Sequence, residues 1–298
     1  MISQFFKLSV ITFFVLFFSL SFLTQSSFSK SVDSQNFLSN SSTNENNLNI
    51  YLISKVLERE IEKVSAIIDI ASKIPDVRNT PYANLLNEST EIYNGIPEGK
   101  DIKKREIFKD ILSKYPDISA MTLLMPNGDV YAEEPFSLQE NLTDTNFAFR
   151  DYFKGAIDSK NMFMGDLIIS AATGLPITVI AVPIYSDNKN ENNLTGILLG
   201  ILDFVYMNKF LQSINFSNSE RMMFLDHFGN TIYDSYDIDK MNQSLVFSNL
   251  QSFQNAISGI SGSIIEPVNN TKMIISYYPV KAVQNSWVIL SMKPYYNN

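Results

Sequence analysis

Three β-rich runs follow one another between residues 162 and 203, and they limit the fold more than any other stretch. Runs 162–170, 177–185 and 195–203 are joined by short polar segments such as Ala171-Ala172-Thr173-Gly174-Leu175-Pro176. Connections this short give an antiparallel meander, because a parallel crossover needs a dozen or more residues. An aromatic helix start stands directly before them, Asn146-Phe147-Ala148-Phe149-Arg150-Asp151-Tyr152-Phe153-Lys154-Gly155-Ala156. One arginine among aromatics beside a sheet predicts a polar-lined pocket on one sheet face.

The order of elements occurs twice. In the first half, strand 118–125 leads through an Asn127-Gly128 turn into strand 130–132, then a long loop opened by Glu133-Glu134-Pro135, the aromatic helix and the three runs. In the second, strand 221–225, the turn Asp226-His227-Phe228-Gly229-Asn230 and strand 231–233 precede a helix over 245–258. Strands 262–266, 272–279 and 286–292 close the chain. Strand, turn, strand, helix and three strands is the plan of a small α+β module. Two such modules with antiparallel sheets are therefore expected in tandem.

A long helix over 48–74 comes first. Ile50, Leu57, Val64 and Ala71 recur every seven residues, Ile61 and Ile68 fill the alternate spacing, and Pro75 stops the run. It packs along a domain flank or forms a dimerising seam; fewer than four clean heptads favour the flank. Helices are also expected over 103–115 and 204–214, the latter capped by Asp203. The expected organisation is 1–23 signal peptide or membrane anchor, 24–47 disordered linker, 48–75 long helix, 76–214 first module and 215–298 second module.

The first segment carries Lys7 and then no charge from Leu8 to Leu23. It reads as an uncleaved anchor, or as a signal peptide with small residues at Ser27 and Ser29. Either places the rest outside the cytoplasm, secreted or tethered by one helix. The Ser/Asn-rich 24–47 stretch would uncouple the long helix from any membrane span.

Composition narrows the function. Of 298 residues 45% are hydrophobic, including 22 Phe, enough for real cores. A net charge of −8 without a basic cluster argues against nucleic acid as a partner. With no cysteine and one histidine, His227, thiol chemistry, Cys-metal sites and a His-based triad have little to work with. Glu133 and Glu134 are adjacent on an extended chain and point to opposite faces, so they cannot converge on one bond. No phosphate loop or nucleophile elbow occurs. A non-enzymatic protein without a cofactor or metal is expected. Sequons begin at Asn40, Asn87, Asn141, Asn193, Asn215, Asn242 and Asn269, in keeping with an external glycoprotein.

Several motifs stand in a telling order. In the first half they are Phe149-Arg150-Asp151-Tyr152-Phe153-Lys154-Gly155-Ala156, Thr173-Gly174-Leu175-Pro176-Ile177 running into Ala181-Val182-Pro183-Ile184, and Gly196 through Phe204. In the second half they are Leu225 through Ile232, Tyr277-Tyr278-Pro279-Val280 and Trp287-Val288-Ile289-Leu290. Together they resemble the double Cache sensor domains. The resemblance implies a long N-terminal helix, two stacked PAS-like modules with the first distal to the membrane, and a small-molecule ligand in that module. Such domains usually belong to chemoreceptors, histidine kinases or cyclic-nucleotide signalling proteins. The chain closes five residues past Lys293 without a second apolar span. A sensor without its own output domain, reporting to a signalling partner protein, is therefore expected.

Arg150 is the leading ligand candidate, since a guanidinium on a pocket wall can bind a carboxylate or phosphate in bidentate fashion. An ion pair with Asp151 or Asp166 is its structural alternative. Tyr152 would add a hydroxyl and a ring wall, and Tyr131 would face the same pocket. Asp166 would hold an ammonium group, while Ser170 and Thr173 would contact ligand or cap the turn. Amino-acid-binding members of the resembled family carry an acid on the last sheet strand. That position falls at Ile201 here, so the resemblance implies an anion-binding arginine without the partner for an ammonium. The competing function is a cell-surface structural or interaction glycoprotein whose first-module cavity is filled by Phe147, Phe149 or Phe153.

Overall fold

The computed structural model describes residues 41–87, 94–174, 176–186, 193–202, 204–214, 220–236 and 247–296, the side chains of 41–47 excepted. The 1–40 segment, Asp203, Leu175 and the sequons at Asn40, Asn215 and Asn242 lie outside these residues. Helix α1, Ser41–Ser72, starts inside the stretch expected as linker. Once nucleated, a helix propagates cheaply into polar residues. Ile50, Leu57, Ile61, Val64, Ile68 and Ala71 are all buried, and the stripe runs along strands of both modules, as a flank helix should. Short α2, Pro75–Arg78, follows, and α3, Ile102–Lys114, completes the entry to the first sheet.

The first module contains β1 Ile118–Leu124, β2 Val130–Glu134, α4 Phe136–Glu140, α5 Asp151–Ser159, β3 Phe163–Met164, β4 Ile168–Ile169, β5 Pro176–Tyr185 and β6 Leu194–Leu202. Its antiparallel sheet has the order β2-β1-β6-β5-β3, with β4 also on β5. Run 162–170 thus forms two short strands. Between them Gly165 donates its N–H to Val179 O (2.8 Å) and Asp166 donates its own to Asp151 Oδ2 (2.6 Å), so the chain leaves the ladder.

Helix α6, Phe204–Ser213, leads to β7 Arg221–Leu225, β8 Thr231–Asp234, α7 Gln251–Ile257, β9 Gly262–Val268, β10 Thr271–Ala282 and β11 Asn285–Pro294. The second sheet has the order β8-β7-β11-β10-β9, element for element that of the first.

The correspondence extends to single residues. The pairs Leu124↔Val130, Leu123↔Ala132 and Thr122↔Glu133 carry a β-bulge in β2; Leu225↔Thr231, Phe224↔Tyr233 and Met223↔Asp234 carry the same bulge in β8. Gly128 (φ 93°) and Gly229 (φ 91°) occupy the two hairpin turns. A Cβ on Gly128 would come within 2.7 Å of Ala148 Cβ, and one on Gly229 within 2.7 Å of Ser248 Cβ. Both turns therefore need glycine for backbone and for space. Arg150 and Leu250 are the residues preceding α5 and α7, and each donates its N–H to a phenylalanine carbonyl, Phe147 or Phe247, at 3.1 Å.

Both sheets share one core with α1, closed by Trp287 against Phe224 and Phe204 at ring distances of 5.4 and 6.2 Å. The opposite sheet faces each build their own cluster under α5 and α7. The modules also meet at two polar points. The Gln284 amide accepts from Met164 N–H (2.9 Å) and donates to Met164 O (2.7 Å). His227 Nε2 lies 3.3 Å from Asp166 Oδ1.

Candidate functional site

The β1–β2 turn fixes the segment that carries Arg150. Asn146 Nδ2 donates to Asp129 Oδ1 (2.7 Å) and Asn127 O (2.9 Å), Phe147 N–H donates to Gly128 O (2.9 Å), and Val130 N–H donates to Thr145 O (2.9 Å). This stitching lays 145–150 across the outer face of the sheet before α5 begins.

Beneath it lies a cavity of about 50 Å³. Phe147, Arg150 and Tyr152 form its roof, and Thr122, Glu133, Val179, Leu199 and Ile201 its floor. Ile168, Ser170 and the following turn close one side. At roughly 10–15 Å³ per water-sized probe, the space suits a guest of a few heavy atoms.

Five polar side chains line an otherwise apolar space, and three of them, Arg150, Tyr152 and Glu133, are titratable. The Arg150 Cζ sits 4.9 Å from the centre of the Phe149 ring, and its Nε is buried without a hydrogen-bond partner. Neither Asp151 nor Asp166 neutralises it: Asp151 accepts the Asp166 amide, and Asp166 faces His227. Tyr152 is buried, which raises the pKa of its hydroxyl. Glu133 is only 5% exposed, and burial pushes its carboxyl up to about 7. The Glu134 charge adds to that shift, and a hydrogen bond with the Thr122 side chain opposes it.

Glu133 reaches the cavity because of the bulge. Val130 lies on the cavity face, and strict alternation would return that face at Ala132 and leave Glu133 with Tyr131. The extra residue in β2 shifts the parity, so Ala132 joins Tyr131 on the α1 side. Glu134 also faces away. Its Oε1 accepts from Arg105 Nη1 (2.9 Å), while Arg105 Nη2 reaches Ile96 O (2.9 Å) and Gln139 Oε1 (3.1 Å).

Comparisons with known proteins agree with this geometry. A family model described as Cache domain matches residues 32–297. The chain belongs to the Cache domain family. No curated protein matches it. Among solved structures, the extracellular domain of rpHK1S-Z16, described as a histidine kinase, superposes with a TM-score of 0.64 at 12% identity, covering 85% of this chain and 95% of that one. The ligand-binding domain of the amino acid chemoreceptor PctC of Pseudomonas aeruginosa PAO1, solved with GABA, gives 0.60 at 12%, covering 85% of this chain and 99% of that domain. The ligand-binding domain of the chemoreceptor CtaA of Pseudomonas fluorescens, solved with L-isoleucine, gives 0.59 at 17%, covering 85% of this chain and 92% of that domain. At these identities the likeness speaks for the fold alone, which is double Cache. The chain is a Cache sensory ligand-binding domain, a class of extracellular sensors rather than enzymes. Among the described residues no helix is long and apolar enough to cross a membrane, and no cluster of acids and histidine is arranged to hold a metal.

Within this Cache domain the expected site residues separate into two groups. Arg150, Tyr152 and Ser170 line the cavity. Ser170 Oγ also accepts the N–H groups of Ala172 and Thr173, each at 3.2 Å, so it caps the turn as well. Tyr131, Asp166 and Thr173 stand elsewhere. Tyr131 is fully buried on the opposite sheet face, where its hydroxyl donates to Asp101 Oδ2 (2.8 Å). Asp166 belongs to the module junction; burial and Asp151 raise its pKa, and His227 opposes them. Thr173 is exposed at the turn. Ile201, which the resemblance aligned with the strand acid of the amino-acid-binding subclass, lies on the cavity floor. Glu133 and Thr122, absent from the expected set, complete the polar lining. Of the three phenylalanines that could have filled the hollow, Phe147 forms part of its roof, Phe153 packs under α5, and Phe149 is 54% exposed.

Proposed function

We propose that this Cache domain binds a small polar, anionic metabolite in the first-module cavity, outside the cytoplasm, and reports occupancy to a signalling partner protein. The N-terminal apolar segment delivers the domain across the membrane or tethers it there. One observation carries the ligand assignment: the Arg150 guanidinium borders a hollow with a buried Nε that no protein group satisfies. A buried donor left unpaired costs about 1–3 kcal/mol, a penalty that an incoming carboxylate or phosphate oxygen removes. The small volume favours a guest of a few heavy atoms.

The test is thermal unfolding of the purified chain against a panel of small carboxylates, amino acids, phosphates and sugars. At least one should raise the melting temperature, and Arg150→Ala should remove the rise. A panel without any shift, or a shift that survives Arg150→Ala, contradicts the assignment.

A further inference from the structure

We propose that Glu133 is the specificity-determining residue of this cavity, requiring the ligand to bring a protonated amine beside its anion and releasing a proton when that amine docks. This inference rests on the reading that Arg150 anchors an anion there.

Two observations place the acid in this role. First, the Glu133 side chain is buried, lies on the cavity floor opposite the Arg150 roof, and is held by the uncharged Thr122. The charged and titratable groups around it are few. Arg150 and Tyr152 come from the segment at the start of α5, and Glu134 from its own strand on the far face, already paired with Arg105. The neighbours on β5 and β6, Val179, Leu199 and Ile201, are apolar. Second, the same rung of the second module carries Asp234, and there β7 supplies Arg221, whose Nε donates to Asp234 Oδ1 at 2.9 Å. The β1 residue in register with Arg221 is Ala120. The first module thus keeps the acid but has Ala120 on β1 where the second has Arg221, which leaves the place beside the carboxyl open to a cation of the ligand.

The chemistry follows from burial. With its carboxyl pushed up to about 7, the empty site holds a proton on Glu133 through much of the acidic range. A ligand ammonium docking against it stabilises the carboxylate form. The O–H bond of Glu133 breaks, the proton passes to bulk water, and the carboxylate pairs with the unchanged ammonium. Charge balances: one cation enters and one proton leaves. The acid comes from β2, not from the last strand where Ile201 stands.

The experiment is calorimetric titration of the full chain with matched pairs, L-alanine against propionate and 4-aminobutyrate against butyrate, at about pH 8 and about pH 5.5. At pH 8 the amine member of a pair should bind at least about tenfold more tightly. Its affinity should fall by about thirtyfold at pH 5.5, as expected for a group titrating near 7. Near pH 6, heats in two buffers of different ionisation enthalpy should show close to one proton released per amine ligand, a readout that needs no variant. In Glu133→Gln the pairs should bind within about twofold of each other at both pH values. Amine affinity independent of pH, absent proton release, or a Glu133→Gln chain that keeps the amine preference overturns the inference. If both members of a pair bind equally and Arg150→Ala abolishes both, the anion reading stands and the Glu133 inference alone fails. If no member of any pair binds at either pH, the Glu133 inference fails, and the anion reading falls only if the wider thermal panel is also without a shift.

Discussion

Glu133 and Asp234 occupy one rung of two equivalent hairpins, each 5% exposed, and the two modules treat them in opposite ways. In the second module Arg221 reaches across from β7 and binds Asp234 through two nitrogens, a structural ion pair. Most of the positions equivalent to the cavity lining are apolar there. Met223 stands where the first module has Thr122, Leu250 where it has Arg150, and Leu290 and Met292 where it has Leu199 and Ile201. Together with Phe253 and Ile275 they pack into one buried cluster. In the first module the same framework holds a shorter polar side chain on β1, an arginine before α5, and an acid with no arginine on the neighbouring strand to pair with it. One backbone plan thus serves as a packed body in one copy and as a hollow with polar walls in the other. The difference lies in about four side chains on fixed positions.

The comparison can be broken most forcefully at Arg221. Arg221→Ala strands a buried carboxylate, and should cost about 3 kcal/mol or more in urea unfolding at neutral pH. Adding Asp234→Asn should recover most of that loss. A cost below about 1 kcal/mol would mean that Asp234 needs no partner, and the contrast with Glu133 would lose its meaning.

Glu133 supplies the mirror experiment. Its folded pKa, about 7, stands above the ordinary 4.5, so the folded state holds a proton that the unfolded state gives up. Its contribution to stability therefore falls as pH rises from about 4.5 to 7 and stays low above that. Glu133→Gln should then stabilise the empty chain at pH 8 by up to about 3 kcal/mol, with the gain vanishing below about pH 4.5. Chemical unfolding of both chains across this window gives the answer, and a destabilised variant at pH 8 would contradict it.

A smaller effect comes from exchanging the β1 and β7 residues. Met223→Thr puts a hydroxyl and a void into a packed cluster, and should cost about 2 kcal/mol. Thr122→Met fills a space that is already open, and should change stability by less than about 1 kcal/mol while abolishing any ligand-induced rise in melting temperature. Equal costs for the two exchanges would show that both faces are packed alike.

The tandem order of elements was legible because strand runs, Gly turns and the heptad stripe each announce themselves locally. Arg150 was legible too, since it stands immediately before an amphipathic helix among aromatics. That Glu133 and not Tyr131 faces the cavity was not legible, and the reason is geometric. Period-two alternation counted from Tyr131 assigns Tyr131 and Glu133 to one face, and only the bulge at Leu123/Leu124 separates them. Bulges depend on pairing across strands, which one segment of sequence does not display. The helices start later than their pattern suggests for a related reason. The 146–150 and 247–250 segments look helical by pattern, yet the hairpin turns bind the first, and a bond to Phe247 O bends the second, before α5 and α7 begin. The division of Glu133 from Glu134, by contrast, needed only the alternation of neighbours.

The most direct measurement is a high-resolution crystal structure of the protein purified from its native source. The account predicts density for a molecule of a few heavy atoms bridging the Arg150 guanidinium and the Glu133 carboxyl, with the Leu250–Asp234 region of the second module filled by protein alone. Arg150 directed into bulk solvent over a collapsed first-module hollow, or a guest lodged in the second module instead, would contradict it.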